Sequence, residues 1–322
     1  MPNRLALAAC LVALLLGTPA TALATVPHLT ATRPDGAGPS HPTATTTAAA
    51  AATATSTATA SASPSPSGTG GTGTTPGPRH RLFFANAQRE SLTGAADARR
   101  RMGIMVRDLN RSHADLGVLV ELQGGQPRSF RTRTQGAWKL ISVGHGVRNG
   151  VIYDPQVWTP LSQDSIPTYW NGGQRTRTPV VVFSGTDGEQ VAVIGVHNPR
   201  DSSRRRSTNN RRILATVRTL QRRGIGVLIA GDFNTGKAAL CLYTSRRHQM
   251  ASAGHRRRHA CRDHRPTRID QAFATSDIDL FGYRRRFSRA TDHRAVYSTG
   301  FRLRLSTPAP GPGDPTLVPA QP

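Results

Sequence analysis

Three apolar runs, residues 116–120, 191–196 and 227–230, each stop at or next to a polar residue: Glu121, His197 and, after Gly231, Asp232. Runs of this length, bounded by Gly, Pro and Asp, read as buried strands. A buried strand tolerates an ionisable side chain only where it ends, so a fold built on such strands gathers its polar chemistry along one rim. The segment Gly231-Asp232-Phe233-Asn234 is the most specific of these ends, because an acid and an amide two positions apart aim at one spot. Asp and Asn are also ordinary turn residues. The weight comes from companions at other strand-like ends: Asn86, Asp270 and the pair Asp292-His293.

The same pattern outlines the domain. Residues 81–87 form a strand delivering Asn86, and 91–111 have helical spacing with Met102, Met105, Val106 and Leu109 on one face. Residues 151–153 and 180–183 are further strands, and Thr186-Asp187-Gly188 is a tight turn into the run ending at His197. Asn209 and Asn210 are placed to cap a helix whose apolar face is Ile213, Leu214, Val217 and Leu220. The last strands lie in 268–273 and 293–305. Many strands with few helices predict an α/β fold of two sheets packed face to face, with helices outside.

Outside this region the composition changes. Residues 1–24 read as a signal peptide, with Arg4, an apolar stretch over 5–16 and a small-residue site at Ala22-Leu23-Ala24. Residues 25–78 are an Ala/Thr/Ser/Pro-rich linker and 306–322 a Pro-rich tail, both too poor in large apolar side chains to fold. The expected protein is therefore secreted, with one domain over 79–305, no stable membrane insertion and a monomeric state. The formal net charge is +24, and of 42 basic residues only Lys139 and Lys237 are lysines. A GC-rich genome alone enriches arginine, yet so large a charge suits a polyanionic partner, nucleic acid above all. An anionic membrane surface competes with it. Past the signal peptide, Cys241 and Cys261 remain, and export favours a disulfide between them. The rival is a zinc set of His255, His259, Cys261 and His264, which the neighbouring run Arg256-Arg257-Arg258 opposes.

Each rim residue has a plain alternative. Glu121 and Asp270 could face solvent, His197 could be an edge histidine, and Asp292-His293 a loop pair. Their order along the chain is the stronger signal, and it resembles the endonuclease/exonuclease/phosphatase superfamily, which includes DNase I-like nucleases, apurinic endonucleases, sphingomyelinases and inositol-phosphate phosphatases. The resemblance spans about 80–305. It runs from Asn86 through the six-residue step Asp115 to Glu121, the strand over 149–155, His197, Asp232 with Asn234, and Asp270 to Asp292-His293.

The resemblance implies a four-layer α/β sandwich that hydrolyses phosphoesters with Mg²⁺, or Mn²⁺ or Ca²⁺ in its place. Glu121 and Asn86 would hold the ion, His293 would be the general base and Asp270 would orient it. Asp232 and Asn234 would align the nucleophile, His197 would donate to a phosphate oxygen, Asp292 would assist near the metal, and Arg177 would contact phosphate. The disulfide Cys241–Cys261 matches one in the DNase I branch. Three departures stand out. Val120 replaces the usual Gln before the metal glutamate, with Gln123 two residues after it. Gln88 stands where apurinic endonucleases carry an acid. Gly146-Val147-Arg148 lacks the carboxylate that partners the first histidine. The expected activity is a low-specificity endonuclease acting on DNA or RNA, with arginines of 246–265 and 284–286 gripping phosphates. A sphingomyelinase-like or small-molecule phosphoesterase is the first alternative, and a non-catalytic polyanion-binding protein the second.

Overall fold

The computed structural model describes residues 77–144, 146–255, 261 and 268–304. The expected signal peptide, nearly all of the linker and the tail lie outside the described residues. So do 256–260 and 262–267 of the arginine-rich loop, including His259 and His264 of the rival zinc set.

The first half runs β1 (His80–Asn86), α1 (Ala95–Ser112), β2 (Leu116–Leu122), α2 (Gln126–Thr134), β3 (Lys139–Val143) and β4 (Arg148–Tyr153). The second runs β5 (Trp158–Tyr169), β6 (Arg175–Gly185), β7 (Gln190–His197), α3 (Ser203–Arg222), β8 (Gly226–Asp232) and α4 (Lys237–Tyr243). It closes with β9 (Ala251–Ser252), β10 (Asp270–Ala274), β11 (Ile278–Phe287) and β12 (Ala295–Leu303). Two six-stranded sheets result, ordered β11-β12-β1-β2-β4-β3 and β5-β6-β7-β8-β10-β9. Only β1–β2 and β7–β8 pair in parallel, and each pair is joined by a crossover helix, α1 or α3.

Alternation of side chains explains the layers. Leu82 and Phe84 of β1 pack between the sheets, whereas Phe83 and Ala85 pack outward with Met102, Met105 and Leu109 of α1 and Phe130 of α2. In β8, Leu228 and Ala230 point inward, while Val227 and Ile229 meet Ile213, Val217 and Leu220 of α3. Both faces of the central strands are covered, so their sequences read as unbroken apolar runs. The α/β sandwich expected from the sequence is what forms.

Several local expectations change. α3 begins six residues before Asn209, because Ser202 is its cap and its side chain accepts from the Arg205 N–H at 3.3 Å. Asn209 and Asn210 lie inside the helix and are buried. They bond inward to Asn198, Tyr169 and Tyr243 instead of capping. β5 carries Pro160 and Pro167 and little apolar patterning; it forms at an edge, pairing only with β6, where proline is tolerated. β3 and β11, the edges of the other sheet, were equally unmarked. Gly231 is needed where it stands: its φ is +134°, and a Cβ there would sit 2.1 Å from the Val196 carbonyl oxygen.

At the end of the sandwich where β1 begins, His80 ties the sheets together. Its Nδ1 lies 2.8 Å from Asp115 and its Nε2 3.0 Å from Glu189, and the ring packs on Trp158 and Phe301. Asp115 therefore serves this clasp and not the far rim. Burial disfavours the charged ring, but the two carboxylates outweigh it and raise its pKa above the ordinary 6.5. A raised folded-state value means stabilisation that is complete below the unfolded pKa and lost as pH rises through the folded one. The melting temperature of the wild type should thus exceed that of His80→Gln most below the ordinary value of 6.5, with the gap closing as pH rises through the raised one. A gap independent of pH in parallel thermal melts would show that the ring is not charged in the fold.

Candidate active site

Strand register builds the site. Asn86 of β1 lies opposite Val120 of β2, while His197 of β7 and Asp270 of β10 both lie opposite Asp232 of β8. Asn86 continues the inward series of Leu82 and Phe84. Asp232 continues that of Leu228 and Ala230, and His197 that of Val191 and Val193. Asp270 shares the inward face of Ala272 and Ala274. These four side chains therefore meet between the sheets at one rim.

Glu121 reaches the same place by breaking the alternation. Leu119 and Leu122 both pack outward against the helices, with Val120 inward between them. The β2–β4 ladder shifts between Leu119 and Leu122, and Glu121 takes φ +61°. A bulge of this kind re-aims one side chain, here a carboxylate that regular alternation would send toward the helices. The left-handed backbone costs about 1–2 kcal/mol for a residue with a Cβ.

Asp232 is the hub. Its Oδ2 accepts from Asn86 Nδ2 at 3.4 Å and from Asn234 Nδ2 at 3.2 Å, and its Oδ1 accepts from the Asn234 N–H at 2.7 Å. His197 Nε2 stands 3.4 Å from Asp232 Oδ2 and 3.4 Å from Glu121 Oε1. His293 Nε2 lies 3.8 Å from Asp232 Oδ2 and 3.4 Å from Asn86 Nδ2, and its Nδ1 is 2.8 Å from Asp270 Oδ2. Asn234 Nδ2 also donates to the Asn198 carbonyl at 2.7 Å, which the buried side chains of Asn209 and Asn210 hold through Asn198.

Burial opposes ionisation of Asp232, but the His197 contact and the charges of both histidines hold its carboxyl below the usual range. Burial likewise disfavours a charged His293 ring. The hydrogen bond and charge of Asp270, with the charges of Asp232 and Asp292, overcome that and raise it to about 9.

Asn86, Glu121, His197, Asp232, Asn234, Asp270 and His293 thus converge; Asp292 and Arg177 are exposed, and the missing acid partner of His197 needs correction. Asp292, in the turn before β12, is exposed, and its charge acts on His293. Arg177 is exposed with its guanidinium bonded to Ser165 across the β5–β6 hairpin. His197 does have acid partners, two of them, supplied by strand ends and not by the 146–148 segment. Gln88 is held by Arg101, and Gln123 accepts from the Ser91 N–H, so neither side chain enters the cluster. Cys241 and Cys261 form a disulfide. Arg89 and Trp170, which lie against Glu121 and His197, carried no sequence signal that set them apart.

The donors fit a hard divalent cation, which favours carboxylate and amide oxygens. Asp232, Asp270 and His293 each bring a ligand atom to within 4.8 Å of the others, but Asp270 is already committed to His293 Nδ1. Glu121 is the most open of the carboxylates, its side chain 13% exposed against 2% for Asp232 and 3% for Asp270. Glu121 is therefore the carboxylate of the cluster that an ion arriving from solvent meets first, while Asn86 is buried and its Oδ1 accepts from the Gln88 N–H at 2.8 Å.

No protein-family model and no curated protein matches the chain. Solved structures do. An endonuclease/exonuclease/phosphatase family protein from Bacteroides thetaiotaomicron superposes with a TM-score of 0.59 at 12% identity, covering 71% of this chain and 99% of that one. The fold is that of the endonuclease/exonuclease/phosphatase proteins. A mannosyl-6-phosphatase of Bacteroides thetaiotaomicron VPI-5482 gives 0.58 at 12% identity, over 69% and 99% of the two chains. TDP2 of D. rerio, complexed with a single-strand DNA product, gives 0.57 at 15% identity, over 69% and 98%. At these identities the likeness to the endonuclease/exonuclease/phosphatase proteins is one of architecture, and the site has to be argued from its own residues.

In the ion-free protein, the His293 imidazole should titrate near pH 9 by NMR, as its surroundings dictate. Asp270→Asn should move that midpoint down, since burial then acts against the charged ring with less opposition. A midpoint left in place by the substitution would mean the Asp270 contact does not govern the ring.

Proposed function

We propose that this chain is a secreted, divalent-metal-dependent phosphodiesterase that cuts nucleic acid internally, with little preference for sequence. The observation that carries the reading is the pair of histidines on either side of Asp232, one of them held at its far nitrogen by buried Asp270. A ring held through Nδ1 presents Nε2 for proton transfer, so His293 accepts the proton of a water attacking phosphorus. Asp270 keeps the tautomer and stabilises the imidazolium that forms. Asp232 and Asn234 orient the water, and His197 donates to a phosphate oxygen as the phosphorus–oxygen ester bond breaks. Mg²⁺ held by Glu121 and Asn86 would supply charge to the phosphate and the leaving oxygen.

His293 must shed its proton to act, so the rate should climb with pH on the acid side. The negative charge of Asp270, Asp232 and Asp292 holds that proton on, and a divalent cation bound at the site would offset part of it.

Two features favour a polymeric substrate. The net charge of +24 suits a polyanion. One neighbour in fold, TDP2, was solved with a single-strand DNA product. The mannosyl-6-phosphatase among the neighbours supports a second reading, a small-molecule phosphatase, for which so large a charge has no use. A sphingomyelinase would expose an aromatic hairpin to lipid. Here Ile166 and Trp170 at the β5–β6 tip are buried, which counts against it. No helix among the described residues is long and apolar enough to cross a membrane. Export rests on the leader-like residues 1–24.

Purified mature protein should nick plasmid DNA or degrade RNA with Mg²⁺ and stop when the ion is chelated. Sphingomyelin and sugar phosphates should remain intact. His293→Ala should lower turnover by roughly 10²–10⁴-fold, the usual contribution of a positioned base. Turnover of sugar phosphates in preference to plasmid DNA and RNA would favour the second reading. Substrate affinity should also fall steeply as salt rises from about 50 to 200 mM, by counterion release. An affinity flat in salt would remove the arginines from substrate binding.

A further inference from the structure

The two histidines of the site are held in different ways. His293 is fixed by a hydrogen bond from Nδ1 to buried Asp270. The Nδ1 of His197 is buried and has no hydrogen-bond partner among the described residues. Its Nε2 faces two carboxylates at 3.4 Å each, a spacing that favours the position of one nitrogen without setting the plane of the ring. What does contact the ring face to edge is Trp170, with centroids 4.1 Å apart and planes at 70°. Trp170 is itself buried, at the tip of the β5–β6 hairpin, where its backbone N–H donates to the Gln174 carbonyl at 2.7 Å.

The indole also meets a cation. The Arg89 guanidinium lies 5.6 Å from the Trp170 ring centroid, in the range of a cation–π contact. The same arginine approaches Glu121: its backbone N–H donates to Oε2 at 3.2 Å, and its Nε stands 4.0 Å from that oxygen. Glu121 Oε1 then meets His197, closing a ring of four contacts: Glu121, Arg89, Trp170, His197 and back to Glu121. Each member leans on the next, and the strained backbone of Glu121 sits inside the circuit.

We propose that Trp170 is a positioning residue for His197, holding by ring packing the orientation that Asp270 holds for His293 by a hydrogen bond. Arg89 anchors Trp170 in that role and links it to Glu121. The β5–β6 hairpin thereby becomes part of the site through Trp170. The kinetic arm of this proposal rests on the phosphodiesterase reading; the spectroscopic arm does not.

The test compares wild type, Trp170→Phe and Trp170→Leu in the full chain, each checked for folding by thermal melt. Relaxation dispersion of the His197 ring carbons, assigned by its loss in His197→Ala, is measured on the ion-free protein. The ring should be quiet in wild type and in Trp170→Phe, and should exchange between orientations in Trp170→Leu. With bis(p-nitrophenyl) phosphate and Mg²⁺, Trp170→Leu should lose roughly 10–100-fold in kcat at little-changed KM, as expected for a misplaced group, and Trp170→Phe about threefold or less. In a His197→Ala background the leucine substitution should cost nothing further.

A quiet His197 ring in Trp170→Leu overturns the proposal. So does a kcat loss that is the same with and without His197, which would mark Trp170 as a merely structural residue. If leucine prevents folding, Trp170→Met is read by the same two criteria. A wild type that hydrolyses no phosphoester while the Trp170→Leu ring exchanges would sink the phosphodiesterase reading and leave the positioning role standing.

Discussion

The central strands of both sheets have apolar cover on each face, and that constraint decides where polar chemistry can exist. An ionisable group in mid-strand would be pressed against either the other sheet or a helix, at a cost of several kcal/mol if unpaired. The central strands therefore carry their acids, amides and imidazoles at their ends, and those of the site face inward by the same period of two that packs Leu228 and Ala230. Proximity follows without any element dedicated to it: in the β8 ladders, His197 and Asp270 are both register partners of Asp232. The exception confirms the rule physically. Glu121 has the wrong parity, and only a bulge with a left-handed backbone turns it inward.

Much of this was legible beforehand. The buried strands announced themselves because both of their faces are apolar, and their polar ends named most of the cluster. The edge strands did not: β5 is built from Thr, Pro, Ser, Gln and Asp around Leu161, since only its few inward positions touch a core. The two asparagines of α3 looked like caps because Asn usually is one. They serve instead as buried donors and acceptors, a role that depends on Asn198 and Tyr243 being brought beside them by the fold. Asp115 fell at a plausible spacing from Glu121, yet stands at the opposite end of β2, facing His80. Spacing along a strand cannot distinguish its two ends; burial and pairing can. Arg89 and Trp170 were illegible for another reason. One arginine among so many has no distinguishing context, and a tryptophan at a hairpin tip reads as packing until the ring it packs against is known.

The sandwich uses histidine at both ends, to different effect. At the closed end His80 lies between Asp115 and Glu189, with aromatic rings on its faces, and joins the sheets. At the open end two imidazoles flank one carboxylate, and their remaining nitrogens have unlike surroundings. The same pairing of acid and imidazole thus fastens the two sheets at one end and gathers the candidate site at the other.

Gly231 has a bearing on how any alanine scan of this rim should be interpreted. Its neighbours in sequence, Asp232 and Asn234, present groups to the site, whereas position 231 has room only for a hydrogen, with the Val196 carbonyl where a methyl would go. Loss of activity on replacing it reports a pried-apart β7–β8 seam and says nothing about the reaction. Adjacent positions in one short segment therefore measure two unrelated quantities, and a scan that averages over them would blur chemistry with assembly.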